Sequence, residues 1–238
     1  MWKRGNYMED LLPVLKKSKL FCTLSEEVLR QSVLSQGTLR TFPKQTVILS
    51  PQDQVNWFGL IIEGKIQISQ IFANGTNSLM STLRPSFFLG IDLICTYSRR
   101  SPYYAIAAKD TRVLALPAEL VLQPGLLPDA DWQEVCRRLV TLLSHENIRK
   151  HYRLAILSQR GLRNRILTYV VMQSERQNNS SIMVPFSREE LADFLCVNRS
   201  ALSHELSLME QEGLIRFHKN KFTLLKSGRL ESPWAAEE

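Results

Sequence analysis

The segment from Phe186 to Ile215 constrains the fold of this chain more than any other stretch. Ser187, followed three residues later by Glu190, has the spacing of a capping box, which marks the start of a helix. The helical spacing of apolar residues that follows is carried by Leu191, Ala192 and Leu195. Asn198 can cap a second helix, and we expect Phe194, Cys196 and Val197 to fill the turn between the two.

The second helix of this segment separates apolar from polar residues. The residues expected to face inward are Ala201, Leu202, Leu206 and Met209. The residues left on the outer face are Arg199, Ser200, Ser203 and His204. An apolar-backed helix that exposes small and basic residues at its N-terminal end suits the major groove of DNA. The segment therefore predicts a helix-turn-helix, with a helical hairpin that has no DNA role as the alternative.

Residues 216–225 follow as two short β-rich runs around a polar, basic tip that contains Lys219 and Lys221. This pattern is typical of the wing of a winged helix-turn-helix. Because the capping box, the turn, the basic helix face and the wing agree, the sequence favours DNA binding over the helical hairpin.

Charge and composition restrict the partners and the compartment. The net charge of +7 and the pI of about 9.4 favour a polyanionic partner, although a basic surface also binds membranes. The four cysteines are widely spaced, without a CxxC pair, which favours free thiols in a reducing cytoplasm. No apolar run approaches the ~20 residues that cross a bilayer, and the N-terminus lacks the apolar core of a signal peptide. We therefore expect a cytoplasmic protein with no membrane partner.

The N-terminal half changes from helical to β-rich at Gly37, after a helical stretch over residues 1–36. The predicted strands are Thr38–Phe42, Thr46–Leu49, Trp57–Ile62, Lys65–Phe72, Leu79–Leu83, Tyr103–Ala108 and Arg112–Leu116. Glu63-Gly64 and Asn74-Gly75 lie where hairpins need positive φ. Many short strands at regular spacing suggest a sandwich, a jelly roll or a barrel, and a small roll encloses a pocket. Residues 1–128 are therefore predicted to form a ligand-sensing β-roll.

A long helix is predicted from Asp129 to about Ser158. A helix of ~30 residues spans ~45 Å, longer than either neighbouring domain needs. We therefore expect it to form a dimer coiled coil, with a helix wrapped on its own domain as the alternative. The predicted dimer-interface residues are Val135, Leu139, Leu142 and Leu143. A further helix over Leu162–Ser174, the DNA-binding domain over 159–230 and an acidic tail over 231–238 complete the chain.

This order of parts resembles the CRP/FNR family of bacterial transcription regulators. The resemblance runs from about Leu20 to Leu225 and is most specific at Phe58–Ile66 and at the helix-turn-helix. It implies an α+β fold with an N-terminal double-stranded β-helix (jelly roll), a long dimerisation helix and a C-terminal winged helix-turn-helix. It also implies a homodimer whose rolls each sense a small-molecule effector and whose recognition helices enter successive major grooves of a palindromic operator in double-stranded DNA. RNA polymerase is a further implied partner.

The resemblance assigns the DNA contacts residue by residue. Arg199 matches the first arginine of the family's recognition helix and suits a bidentate contact to guanine. Ser200 stands where a glutamate is common, and His204 stands where a second arginine is usual, so the half-site should differ from the family's best-known one. The residues expected to contact phosphates are Asn198, Ser187 and Arg188. The full predicted DNA-binding set is Arg199, Ser200, His204, Asn198, Ser203, Ser187, Arg188, Lys219 and Lys221.

The effector site departs from the cyclic-AMP pattern that the resemblance implies. Ile91 stands where the ribose-binding glutamate should be, and Ser101-Pro102 takes the place of the phosphate-binding Arg-Ser pair. Arg100 lies one residue out of register, and we do not expect it to replace the arginine, or Asp92 the glutamate. Without both ligands a cyclic phosphate would be buried unpaired, so cyclic AMP should bind poorly.

What remains is an apolar, aromatic candidate pocket. Its predicted residues are Phe88, Gly90, Ile91, Asp92, Arg100, Ser101, Tyr103 and Tyr104. Two interpretations stay open: these residues form core, or they hold a small apolar or aromatic effector, such as an acid bound by Arg99 or Arg100.

Counting of ligands argues against cofactors and catalysis. An iron–sulfur cluster needs about four cysteines, and only Cys22 lies near the N-terminus. A haem or metal in the roll needs histidine, and the first is His145. Cys95 near the pocket is either a thiol sensor or, as is more common, a buried structural cysteine. Without a metal triad, a Gly-rich phosphate loop or a nucleophile–base motif, we expect no enzyme. A ligand-binding regulatory protein that does not bind DNA, or a β-roll enzyme, remains the alternative.

Overall fold

The computed structural model describes residues 7–71 and 77–225. The predicted Asn74-Gly75 turn and the predicted acidic tail 231–238 lie outside these ranges. The chain divides into two compact units, one ending at Asn147 and the other beginning at Ile148, and each is described by itself. Within the described ranges, no helix combines the length and the apolar character needed to cross a bilayer.

The first unit begins with short helices. Helix α1 covers Tyr7–Lys17, and helix α2 covers Glu26–Val28 and continues into a π-helical turn over Leu29–Leu34. The Ser25 hydroxyl caps α2 by accepting from the Val28 amide at 3.2 Å. The prediction of a helical N-terminal stretch is confirmed over the described residues.

Among the described residues, eight strands build the β-roll of the first unit. They are β1 (Thr38–Phe42), β2 (Val47–Leu49), β3 (Trp57–Glu63), β4 (Ile66–Ile71), β5 (Asn77–Leu83), β6 (Phe88–Leu89), β7 (Tyr104–Ala107) and β8 (Thr111–Pro117). They form two antiparallel sheets of four strands, ordered β1-β8-β3-β6 and β2-β7-β4-β5. The seven predicted strands are confirmed, and the predicted jelly-roll fold with them. The two-residue strand β6 and the one-turn helices α3 (Ile91–Ile94) and α4 (Glu119–Leu122) were not predicted.

Gly64 and Thr111 lie where the turn between β3 and β4 contacts the loop between β7 and β8. Gly64 has a φ of 94°, as predicted for this turn, and a Cβ there would collide with the Asp110 carbonyl oxygen. The buried Thr111 hydroxyl donates to the Lys109 carbonyl at 2.7 Å and accepts from the Lys65 amide at 3.1 Å. These contacts satisfy polar groups that the turn buries.

Helix α5 covers Asp129–Leu157, one residue short of the predicted end. Its Val135, Leu139 and Leu142 are only 0%, 7% and 8% exposed, because they belong to the core of the first unit. Leu143 is half-buried against the same core. The predicted dimer-interface residues therefore pack within their own chain, and their contact with a second copy stays a prediction. A side chain buried in this way offers little surface to a second copy.

The second unit is a winged helix-turn-helix, as predicted. Its helices are α6 (Leu162–Gln177), α7 (Arg188–Phe194) and α8 (Arg199–Gln211), and its strands are β9 (Ser181–Met183), β10 (Ile215–His218) and β11 (Lys221–Leu224). The strands form an antiparallel sheet ordered β10-β11-β9. The core beneath α8 includes Ile166, Val170, Leu191, Leu202, Leu206, Met209, Ile215 and Phe222.

Candidate nucleic-acid interface

Two side chains fix the starts of the paired helices, as the sequence predicts. The Ser187 hydroxyl accepts from the Glu190 amide at 3.2 Å, and the Glu190 carboxylate accepts from the Ser187 amide at 2.9 Å. The Asn198 side-chain oxygen accepts from the Ala201 amide at 2.7 Å and from the Ser200 hydroxyl at 2.8 Å. Each cap satisfies amides that the first turn of a helix leaves unpaired.

The turn between α7 and α8 is tied down through its backbone carbonyls. Arg153 Nη2 donates to the Phe194 carbonyl at 3.4 Å, and Arg165 Nη1 donates to the Leu195 carbonyl at 3.3 Å. Cys196 adopts a left-handed φ of 57° and is exposed, so the prediction that it fills the turn was wrong. The left-handed backbone conformation places the Cys196 side chain at the surface. Phe194 and Val197 do pack against the core, as predicted.

Helix α8 has one face in the core and the other open. Leu202, Leu206 and Met209 are fully buried, whereas the predicted base-reading face is exposed: Arg199, Ser200, Ser203 and His204. Asn198 and Ser187 are also exposed at the two helix starts. This arrangement leaves the polar side chains at the N-terminal end of α8 free of core contacts, which a helix that enters the major groove requires.

The wing turns at a two-residue loop, Lys219-Asn220, in which Lys219 has a φ of 53°. Lys219 and Lys221 are both exposed at its tip. The tip is fixed to the residues before α7, because the Val184 amide donates to the Asn220 carbonyl at 2.8 Å. The structure thus presents two lysines in the same domain as the exposed face of α8.

Arg188 contacts the wing from the first position of α7. Its guanidinium lies 4.8 Å from the Phe217 ring centroid, and its Nη2 donates to the Lys219 carbonyl at 3.0 Å. Its Nη1 is buried and has no hydrogen-bond partner among the described residues. Burial lowers the pKa of the Arg188 guanidinium, and the positive charge of Arg199 adds to that effect. The predicted phosphate contact of Arg188 stays a prediction, and the structure adds a role in holding the wing to α7.

Sequence reasoning missed a three-residue ion network behind α8. Arg163 on α6 binds both Glu205 and Glu212, which lie seven residues apart on and just after α8. Glutamates at this spacing lie on the same side of a helix. The spacing was therefore visible in the sequence, but the arginine that meets them comes from a different helix.

The predicted effector residues are mostly engaged within their own unit. Phe88 and Ile91 are buried in the core, where the Phe88 ring lies 6.1 Å from each of the rings of Phe21 and Phe58. Gly90 has a φ of 75° and precedes α3. The buried Ser101 hydroxyl donates to the Tyr103 carbonyl at 2.7 Å. For Phe88 and Ile91 this environment corresponds to the core interpretation of the candidate pocket.

Asp92 and Tyr103 form a polar pair within this group. The Tyr103 hydroxyl donates to the Asp92 carboxylate at 3.4 Å. Burial, followed by the charge and the hydrogen bond of Asp92, raises the pKa of Tyr103, so its hydroxyl stays protonated and can donate. Tyr104 is half-buried and pairs with Ser69 across β7 and β4.

Arg100 lies at an exposed edge of the roll. Its Nη1 donates to the Gln52 carbonyl at 2.8 Å. The flanking backbone is paired as well, because the Val55 amide donates to the Arg99 carbonyl at 2.8 Å and the Ser101 amide to the Asp53 carbonyl at 3.0 Å. The structure therefore brings Asp92, Ser101 and Tyr103 together but gives the guanidinium of Arg100 a backbone partner.

Two further features concern sensing by a thiol or a metal ion: the environment of Cys95 and the grouping of possible metal ligands. Cys95 is exposed, not a buried structural residue, yet desolvation of its sulfur and the Asp92 charge raise the pKa of its thiol. A raised pKa disfavours the reactive thiolate. Within residues 7–71 and 77–225, no three His, Cys, Asp or Glu side chains gather in a way that could hold a metal ion. The expectation that the protein needs no cofactor stays a prediction.

Models of two protein families match two separate parts of this chain. A cyclic nucleotide-binding domain matches residues 39–123, and a Crp-like helix-turn-helix domain matches residues 135–232. The chain belongs to the CRP/FNR family. It is a DNA-binding transcription regulator with an effector-binding domain, as the sequence predicts.

Individual CRP/FNR proteins are distant relatives. The chain is 23% identical to the transcriptional activator FnrL of Cereibacter sphaeroides over 199 residues, which cover 76% of this chain and 73% of FnrL. It is 22% identical to the nitrogen fixation regulation protein FixK of Bradyrhizobium diazoefficiens over 204 residues, 82% of this chain and 81% of FixK. Its fold matches the c-di-GMP responsive global regulator CLP of Xanthomonas campestris with a TM-score of 0.63 at 15% identity, covering 85% of this chain and 100% of CLP.

Proposed function

We propose that this regulator is a cytoplasmic homodimer without enzymatic activity, which reads a palindromic operator under the control of a small molecule other than cyclic AMP. The observation that carries the proposal is the exposed polar face of α8 over a fully buried apolar face. Arg199 is exposed near the start of that helix, where a guanidinium can reach the O6 and N7 atoms of guanine. The lysines of the wing supply charge for phosphates.

The exposed side of α5 supports the homodimer. Val140 and Leu154 are 65% and 63% exposed, and Asn147 is exposed midway between them. Residues spaced by seven repeat on one side of a helix and occupy equivalent positions of a coiled coil. An asparagine at the central position would align two parallel copies, because it pairs best with itself. We therefore move the proposed dimer contact from the buried Val135, Leu139 and Leu142 to this exposed row.

The roll is proposed to bind an uncharged or weakly acidic small molecule. No acidic side chain stands at the position of Ile91, and Arg100 already donates to a backbone carbonyl. Asp92 and Tyr103 supply a polar pair within the predicted site. We propose no iron–sulfur cluster, haem or metal for this domain, and RNA polymerase as the partner of the DNA-bound dimer.

Selection of bound duplexes from a random DNA pool, with and without a metabolite extract, tests this function. We expect enrichment of an inverted repeat whose half-sites lie about one helical turn, ~10 base pairs, apart. Binding should weaken log-linearly as the salt concentration rises. Enrichment of single half-sites would contradict the dimer. No enrichment and no salt-dependent binding to any duplex would instead favour a ligand-binding regulatory protein that does not contact DNA.

A further inference from the structure

All three guanidinium nitrogens of Arg163 donate hydrogen bonds to two glutamates, one on α8 and one at its C-terminal end. Its Nε donates to Glu205 Oε1 at 2.7 Å. Its Nη1 and Nη2 donate to the two carboxylate oxygens of Glu212 at 2.7 and 2.9 Å. The three side chains are only partly exposed, at 37%, 21% and 47% in the order Arg163, Glu205 and Glu212. The hydrogen bonds to Glu205 and then Glu212 raise the pKa of Arg163, so the contacts are charge-assisted.

These contacts fix α8 at two points. Glu205 directly follows His204 on α8, and Glu212 is the residue at the C-terminal end of that helix. Arg163 lies in the first turn of α6, which packs beside α8. A planar fork bound to carboxylates two helical turns apart restricts both the rotation of α8 about its axis and its sliding along α6. The close-packed apolar core fixes the buried face of α8, and the carboxylate contacts add a directional restraint outside that core.

The same contacts also balance charge on a helix that must approach a polyanion. Glu205 and Glu212 bring two negative charges to the helix that carries Arg199 and His204. Without a cation beside them, these carboxylates would weaken the attraction of α8 for phosphates. A lysine would supply the charge, but as a point charge it could not bind both carboxylates in one plane.

We propose that Arg163 is a positioning residue for base readout, which holds the α8 side chains in register with the major groove through Glu205 and Glu212. The proposal rests on α8 as the DNA-reading helix. Substitution of Arg163 could lower DNA affinity in two ways, which the choice of duplex distinguishes. Loss of its charge lowers the affinity for every duplex, whereas loss of the position of α8 lowers the affinity for the selected duplex alone.

The test measures fluorescence anisotropy of the full-length protein with the duplex selected by the wild type and with a scrambled duplex of equal length. We expect R163M to lower the ratio of selected to scrambled affinity about tenfold or more, the effect of losing correct base contacts. We expect R163K to lower that ratio nearly as much. Lysine keeps the positive charge, but it lacks the planar fork that binds both carboxylates. The matched control is R176M, which removes an exposed arginine from the last turn of the same helix and should leave the ratio unchanged.

A second variant keeps the test decisive if R163M fails to fold by circular dichroism. E205Q/E212Q retains Arg163 and removes two negative charges. We expect it to bind the scrambled duplex more tightly and still show a reduced ratio. If the affinities for both duplexes rise equally in E205Q/E212Q, or if folded R163M or R163K keeps the wild-type ratio, the positioning role is overturned. If the wild type itself does not prefer the selected duplex, the DNA-reading role of α8 fails, and this inference fails with it.

Discussion

The DNA-reading surface and the predicted effector site differ in what their polar groups already contact. On α8 the predicted base-reading side chains are exposed, while the core and the ion network lie on other sides of the helix. In the β-roll, Phe88 and Ile91 belong to the core, and Arg100, Ser101 and Tyr103 each donate to a group of their own unit. The base-reading face of α8 is therefore open to a partner apart from the Ser200 hydroxyl, which donates to Asn198, whereas the polar groups of the predicted effector site already hold internal contacts.

This difference explains why the DNA-reading surface is easier to predict from the sequence than the effector site. A surface that meets a long polyanion needs exposed donors on a rigid scaffold, and caps and core spacing reveal such a scaffold in a sequence. A small-molecule site is built from the same apolar residues that fill a core, so residue type alone does not separate the two. Substitutions in the two regions test whether that contrast holds.

Replacing Phe88 with alanine should lower the free energy of unfolding by about 3–5 kcal/mol, because the ring packs against Phe21 and Phe58 in the core. Urea denaturation of the full-length protein measures this loss. The control V47A removes a half-exposed side chain from the same roll and should stay within about 0.5 kcal/mol of the wild type. A loss below about 1 kcal/mol for F88A would identify Phe88 as a pocket-lining residue, not a core residue.

Replacing Arg199 with alanine should cost about 1–3 kcal/mol of binding free energy per half-site and relax the preference at one base pair. Anisotropy titrations against the selected duplex measure this effect. The unfolding midpoint should not move, because the side chain is exposed. R176A, which removes the same charge from α6, should weaken binding far less. Unchanged operator affinity in R199A would mean that the register of α8 in the groove is wrong.

Replacing Ser187 with alanine should lower the free energy of unfolding of the DNA-binding unit by about 1 kcal/mol, because it removes the hydroxyl that accepts from the Glu190 amide, while the Ser187 amide keeps its bond to the Glu190 carboxylate. The control S207A removes an exposed hydroxyl that donates to the carbonyl of Ser203 within α8. That change should have little effect. Thermal unfolding followed by circular dichroism compares the two variants, and equal unfolding temperatures would show that the cap contributes nothing.

Cyclic AMP at millimolar concentration should leave the melting temperature unchanged. A ligand at 100 times its Kd would stabilise the folded state by about 2.7 kcal/mol, which a thermal shift assay detects readily. The absence of a carboxylate at Ile91 and the backbone contact of Arg100 both predict no shift. A clear shift that disappears in R100A would show that Arg100 rebuilds the phosphate site, and the contrast between the two surfaces would weaken.

Much of the fold was predictable from local signals. The capping box at Ser187, the cap at Asn198 and the apolar spacing of α8 act within a few residues, so the sequence predicted each of them. The strands of the roll were predicted for the same reason, since turn residues separate them. Strand β6 and helices α3 and α4 were missed, because two to four residues carry no measurable periodicity.

Contacts between distant segments were less predictable. The stripe through Val135, Leu139 and Leu142 correctly indicated an apolar face on α5, but periodicity does not say whether that face meets the roll or a second copy. The Arg163 network joins positions 42 and 49 residues apart, and the sequence contains many arginines that could have met the glutamates. The exposure of Cys196 follows from its left-handed backbone conformation, which the residue type does not specify.

The most direct test of the account is a double-mutant cycle between Arg199 and the guanine that it is proposed to read. The affinities of wild type and R199A are measured for the selected duplex and for a duplex with that guanine–cytosine pair replaced in both half-sites. We predict that the base change costs the wild type about 1–3 kcal/mol per half-site and costs R199A almost nothing. Equal costs in the two proteins would contradict readout of that base by Arg199, and with it the placement of α8 in the major groove.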